Sequence, residues 1–223
     1  MLGMDNHAMK RIGRLHILTD IVLQSRFSHI ELAEQAIAGG ADTIQFRQKA
    51  ETTRTMIDVV QEIKSLCATS SVTCIVNDRV DIALAAKPDG VHLGQKDFPI
   101  PLARNLLGKE AIIGGSASTI EEAQKCLSDG ADYIGFGPVF PTTSKGDAGP
   151  VTGIEILNKV VETIPLPIIA IGGVDSENVG EVIHAGAYGI AVISAVCCQE
   201  DPKKATQTLF KAIRDSNPGE KNV

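Results

Sequence analysis

The sequence predicts a (β/α)8 barrel, and three observations predict it. Short β-branched runs alternate with longer amphipathic segments along the 223 residues, the units number eight, and glycine recurs where amphipathic segments turn into the next run. Alternation of this kind gives parallel strands joined by crossover helices. Eight units favour closure into a barrel over an open, doubly wound sheet.

The strands follow in order as Arg14–Thr19, Thr43–Arg47, Val72–Asn77, Gly90–Leu93, Ala111–Ser116, Tyr133–Gly137, Ile168–Ile171 and Gly189–Ile193. Several are almost wholly apolar, as strands covered on both faces should be. Between them, apolar residues recur at three and four positions, as in Ile30, Ala33, Ile37 and in Met56, Val59, Val60, Ile63, which is helical spacing. The segments 38–42, 87–90, 129–132 and 185–188 each put glycine near a helix-to-strand turn, where a positive φ is wanted. These recurrences mark βα units rather than a solenoid. The one long irregular stretch, 138–153, follows the sixth strand and therefore lies on the face where barrels keep their sites, with the character of a mobile lid. The expected organisation is one domain over 1–223, with 1–13 and 216–223 as flexible ends.

A hydrophobic fraction of 43% in a chain of this length allows a sizeable core. The net charge of −6 excludes a broad nucleic-acid footprint, which needs a basic face. The first thirteen residues have no apolar core and do not form a secretory signal, and no run approaches the length of a membrane helix. A cytoplasmic protein without nucleic-acid or membrane partners is expected. Five cysteines form no CxxC pair, and their odd number disfavours a disulfide set.

Polar residues gather at the carboxyl ends of seven of the eight strands. They are Gln45, Arg47 and Lys49; Asn77 and Asp78; His92, Gln95 and Asp97; Ser116; Thr142, Thr143, Ser144 and Lys145; Gly172 and Gly173; and Ser194. Gln45, Arg47 and Lys49 alternate, so they leave one face of an extended segment. Facing the barrel interior, two cations require an anion. Asp78 and Asp97 end adjacent strands, a pairing suited to a magnesium ion that shares its remaining positions with phosphate and water. Asp78 taken alone reads as a helix cap for 78–86, and it is its combination with Asp97 and the cations that favours a metal site. Gly172-Gly173 and Ser194 supply backbone amides in the two loops where this fold often holds phosphate. His92 fits a packed, hydrogen-bonded core position, and Cys197 and Cys198 fit core packing.

Taken together, Gln45-Phe46-Arg47-Gln48-Lys49, Val76-Asn77-Asp78, the segment from Gly90 through His92 and Gly94 to Asp97, Gly137 to Lys145, and Ile171-Gly172-Gly173-Val174 resemble the thiamine-phosphate synthase family. The resemblance runs from Arg14 to the last helix. It implies a transferase that couples a pyrimidine diphosphate to a thiazole phosphate with release of pyrophosphate. Gln45, Arg47, Lys49, Asn77, Ser116 and Lys145 would then bind the diphosphate, with Arg47, Lys49 and Lys145 catalytic, Phe46 and Gln48 also among the substrate-binding residues, and Asp78 and Asp97 holding Mg2+. Thr142, Thr143, Ser144, Gly173, Ile193 and Ser194 would hold the thiazole phosphate. A homo-oligomer is compatible with this reading.

Ser118 stands where many relatives carry histidine, the residue proposed as acid/base in the related thiazole tautomerase. Its absence beside an intact diphosphate set favours the synthase. Other readings are a sugar-phosphate isomerase or aldolase, in which Lys49 or Lys145 would form a Schiff base, and a barrel that senses thiamine phosphates without turning them over.

Overall fold

A computed structural model describes residues 12–144 and 149–216. Eight strands, β1 (Leu15–Thr19), β2 (Thr43–Phe46), β3 (Thr73–Asn77), β4 (Gly90–Leu93), β5 (Ile112–Ala117), β6 (Tyr133–Phe136), β7 (Ile168–Ile171) and β8 (Gly189–Val192), form a closed barrel in sequence order. All neighbours are parallel, and the register His16↔Ala191 joins β1 to β8. Seven helices fill the crossovers: α1 (His29–Ala38), α2 (Thr53–Thr69), α3 (Val80–Ala86), α4 (Ile100–Leu107), α5 (Ile120–Ser128), α6 (Gly153–Thr163) and α7 (Val179–His184). The short α8 (Ser194–Cys197) and the long α9 (Pro202–Ser216) follow β8. The predicted strands agree with these to within one residue at either end. Of the ends expected to be flexible, 1–11 and 217–223 lie outside the described residues, whereas Gly13 is buried and Ser216 closes α9. No helix among the described residues is long and apolar enough to cross a membrane.

Period-two alternation divides the core in two. Leu15, Ile17, Ile44, Phe46, Val76, Val91 and Leu93 face outward and meet helix residues such as Leu157, Val160 and Leu209. Leu18, Ile75, Ile112, Tyr133 and Ile169 face the barrel interior. Helix starts are fixed by side chains: Ser28 and Glu31 form a reciprocal capping box on α1, and Thr52 and Thr119 cap α2 and α5.

The turns before the even-numbered strands do more than reverse the chain. Asp42, one residue before β2, accepts the amides of Arg14 and Leu15 at 3.1 Å. Asp89, before β4, accepts the amide of Cys74 at 2.7 Å, and Asp132, before β6, accepts that of Ile113 at 2.8 Å. Each carboxylate therefore clips the start of the preceding odd-numbered strand and satisfies an amide at the barrel's lower rim. Before β8, Tyr188 takes the corresponding place, its hydroxyl donating to the Ile12 carbonyl at 3.0 Å.

Candidate active site

A cavity of about 1040 Å³ opens at the carboxyl ends of the strands. It brings together residues that the sequence scatters between positions 47 and 194: Arg47, Lys49, Asn77, Asp78, Asp97, Ser116, the segment Thr142–Ser144, Gly173, Ile193 and Ser194 all line it. Lys145 lies outside the described residues, as does the middle of the expected lid, 145–148.

The β2 end shows how alternation builds the wall. Gln45 and Arg47 point inward. Phe46 and Gln48 do not, and neither lines the cavity. Phe46 is 2% exposed and packs against the His29 ring at a 4.6 Å centroid distance on the helix side. Gln48 turns its Oε1 back to the amides of Lys49 and Ala50 at 2.8 and 3.1 Å, shaping the bend that carries Lys49. Gln45 sits one layer below the cavity, and its Nε2 donates to Asn77 Oδ1 at 2.8 Å. It therefore bears on the cavity through Asn77.

Arg47 has an anion that sequence reasoning missed. Its Nη1 pairs with Asp20 Oδ2 at the end of β1, and both side chains are buried. Asp20 is only 1% exposed, and its Oδ1 accepts the amides of Val22 and Leu23 at 2.8 and 3.2 Å. Such a carboxylate offsets the cost of burying the guanidinium and holds it against the cavity wall. The neighbouring His29 donates to or accepts from Thr19 Oγ1 at 2.8 Å, and burial drives its pKa down to about 4 against the opposing pull of Asp20.

Asp78 and Asp97 come from adjacent loops and face the same cavity. The capping alternative for Asp78 does not hold: α3 starts at Val80, its N-cap residue is Arg79, and no side chain caps it. Asp78 instead adopts a φ of 65°, a left-handed conformation that Asp tolerates, while its amide donates to the His92 carbonyl at 2.8 Å. Asp97 is oriented by the Gly94 amide, which donates to Oδ2 at 2.7 Å, and a Cβ at Gly94 would meet that oxygen. Two carboxylates lining one cavity, with their hard oxygen donors, fit a magnesium ion that takes its other ligands from phosphate and water. Among the described residues, no group of three or more His, Cys, Asp or Glu forms a self-contained metal cluster.

Between β4 and β6 a hydrogen-bonded line descends from the cavity. His92 is buried as expected, its Nε2 lying 2.9 Å from Ser116 Oγ and its Nδ1 3.0 Å from the Tyr133 hydroxyl. Nearby, the Ser118 amide and hydroxyl both donate to Glu122 Oε2, at 2.7 and 2.8 Å. Position 118 thus carries a helix-directed contact in place of an acid/base.

The opposite wall is built by β6, β7 and β8. Gly172 and Gly173 have φ values of 91° and 66°, and a Cβ at Gly173 would meet the Pro141 carbonyl and Phe140 Cβ. The Phe140 amide donates to the Gly172 carbonyl at 2.9 Å, so the two loops brace each other. Asn178 fixes the far side through its Nδ2, which donates to the Gly173 carbonyl at 2.8 Å. Ser144 Oγ donates to Ser194 Oγ at 2.9 Å and links the loop after β6 to the end of β8. Cys197 is buried, as expected, with its thiol pushed up to about 12 by burial. Cys198 is only partly buried and lines the cavity, which corrects its placement in the core. All five cysteines are free.

Cationic and acidic groups on one wall, and a double-glycine turn with hydroxyls on the other, define a (β/α)8 barrel equipped for anionic small molecules. The family model described as thiamine monophosphate synthase matches residues 15–196, and the chain belongs to that family. It is 50% identical to the thiamine-phosphate synthase of Salinibacter ruber over 95% of this chain and 93% of that one. It is likewise 50% identical to the enzyme of the same name from Methanocella arvoryzae, over 89% and 93% of the two chains. The structure of the thiamine phosphate pyrophosphorylase from Pyrococcus furiosus superposes with a TM-score of 0.84 at 41% identity, covering 91% of this chain and 96% of that one.

Proposed function

We propose that this chain is a thiamine-phosphate synthase that couples 4-amino-2-methyl-5-hydroxymethylpyrimidine diphosphate to thiazole phosphate and releases pyrophosphate, a transfer step of thiamine biosynthesis in the cytoplasm. The bond from the pyrimidinylmethyl carbon to the diphosphate oxygen breaks, and the thiazole nitrogen supplies the electron pair of the new carbon–nitrogen bond. Charge builds on the departing pyrophosphate, so the site's task is to stabilise that charge and align two partners.

One observation carries the reading: Arg47, Lys49, Asn77, Asp78, Asp97 and Ser116 share a cavity with Gly173, Ile193 and Ser194 on its other wall. The first set suits a diphosphate. Arg47, oriented by Asp20, and Lys49 supply positive charge, and Asn77 is steadied by Gln45. By the family resemblance, Lys145 would supply a third cation that assists departure. Asp78 and Asp97 would hold Mg2+, which when bound offsets diphosphate charge. The second set, with Thr142, Thr143 and Ser144, anchors a phosphate that does not react. No protein nucleophile or strong base is required, in keeping with Ser118 being engaged by Glu122.

The test is pyrophosphate release with each substrate alone and with both, with and without Mg2+. Release that needs both substrates and falls sharply without Mg2+ is expected. Turnover of thiazole phosphate alone would favour the tautomerase, and absence of turnover with tight binding would favour a sensor.

A further inference from the structure

Resting on that reading, we propose that the line Tyr133–His92–Ser116 locks the Ser116 hydroxyl as a hydrogen-bond donor to the diphosphate, making His92 and Tyr133 positioning residues for the reaction. The direction of each hydrogen bond follows from counting donors and acceptors. The Tyr133 hydroxyl is buried in the barrel interior, and among the described residues its one hydrogen-bond partner is His92 Nδ1, at 3.0 Å. A buried hydroxyl that donated nothing would cost stability, so its proton goes to Nδ1. Burial also pushes the phenol pKa up, which keeps that proton in place.

An imidazole that accepts at Nδ1 carries its own proton on Nε2. Nε2 lies 2.9 Å from Ser116 Oγ, and the ring N–H therefore donates to the serine oxygen. Ser116 Oγ has no second protein partner among the described residues, and Ser116 lines the cavity. Its hydrogen is thus left for a ligand. The ligand it suits bears acceptors and no donors at that point, as a diphosphate does. Arg47 and Asn77 line the same cavity.

Two strand glycines make room for the line. A Cβ on Gly114 would come within 2.3 Å of Tyr133 Cζ and 2.4 Å of His92 Nδ1. A Cβ on Gly135 would come within 2.9 Å of His92 Cε1. Both positions face the rings from neighbouring strands, so the His92 ring is held in a slot that larger residues would fill. The Tyr133 ring is itself wedged edge-on against His16, with centroids 5.4 Å apart.

The first measurement is the tautomer of His92 by two-bond proton–nitrogen correlation in 15N-histidine-labelled protein, assigned by the signal missing in His92→Gln. A protonated Nε2 and a bare Nδ1 are expected, and a protonated Nδ1 would overturn the proposal. The second is a double-mutant cycle on turnover at saturating substrates. Tyr133→Phe keeps the ring and removes the donor, and about a tenfold loss is expected, as for one lost hydrogen bond made in the transition state. Ser116→Ala should lose at least as much, and adding Tyr133→Phe to it should cost less than about twofold more. Full additivity would show that Tyr133 does not act through Ser116 and would overturn the proposal. Failure of the unaltered protein to release pyrophosphate would sink the functional reading alone, because the tautomer is read without substrate.

Discussion

At the scale of single residues, the most informative pair is Asp20 and Arg47. The inward cation was legible from the alternation of Gln45, Arg47 and Lys49, because a period of two sends every second side chain to the same face. The same alternation sends the side chains of Phe46 and Gln48 away from that face. Asp20 gave no comparable signal. Asp20 lies 27 positions from Arg47, and only the parallel pairing of β1 with β2 brings it beside the guanidinium as its counterion. Asp20→Asn removes that charge and leaves a buried guanidinium without its partner. The expected result is a fall of more than tenfold in kcat/KM for the pyrimidine diphosphate, together with a loss of about 3 kcal/mol in stability by urea titration. The KM for thiazole phosphate should stay within about twofold. An unchanged diphosphate KM and turnover would show that Arg47 needs no orienting.

At the scale of elements, strand positions were legible almost to the residue because buried parallel strands read as short apolar runs bounded by turn residues. Helix starts were harder. Asp78 looked like the cap of a helix at 78–86, yet its left-handed φ ends β3 first and delays α3 to Val80. The glycine-rich turns were recognised as punctuation, but the work of their aspartates was not, since the amides that they accept come from strands more than a dozen residues away. Asp89 gives the cleanest case because its carboxylate serves the Cys74 amide at the rim opposite the cavity. Asp89→Ala is expected to lower stability by about 1 kcal/mol through that lost hydrogen bond while turnover stays unchanged. Thermal melts and steady-state rates measured on the same preparation check both halves.

At the scale of the whole molecule, the barrel interior couples stability to pH. His16 is fully buried beneath the cavity, donates from Nε2 to the Gly13 carbonyl at 2.9 Å, and has its pKa driven by burial from 6.5 down to about 4. The unfolded chain takes up a proton near 6.5 that the folded barrel refuses until about 4. Stability from this group is therefore fully present above 6.5 and is lost as the pH falls toward 4, with a total on the order of 3 kcal/mol. His29, also lowered to about 4, adds to the same window. Urea midpoints measured from pH 7 to 4.5 should fall for the unaltered protein and fall less steeply for His16→Gln. Parallel curves would show that His16 does not titrate in this way.

The closed barrel and the convergence of its polar strand ends were foreseeable because both follow from periodicity and from counting units. The interior line from Ser116 to Tyr133 was not, since it depends on which inward residues of β4, β5 and β6 share a layer. The central claim is that one mouth has two anion-binding walls, one for each partner. It is tested most directly by a crystal structure of the protein with pyrophosphate, Mg2+ and thiamine phosphate. The account predicts pyrophosphate beside Arg47, Asn77 and Ser116, and the product's phosphate against Gly173, Ile193 and Ser194. Both phosphoryl groups on the same wall, or either one outside the cavity, would contradict it.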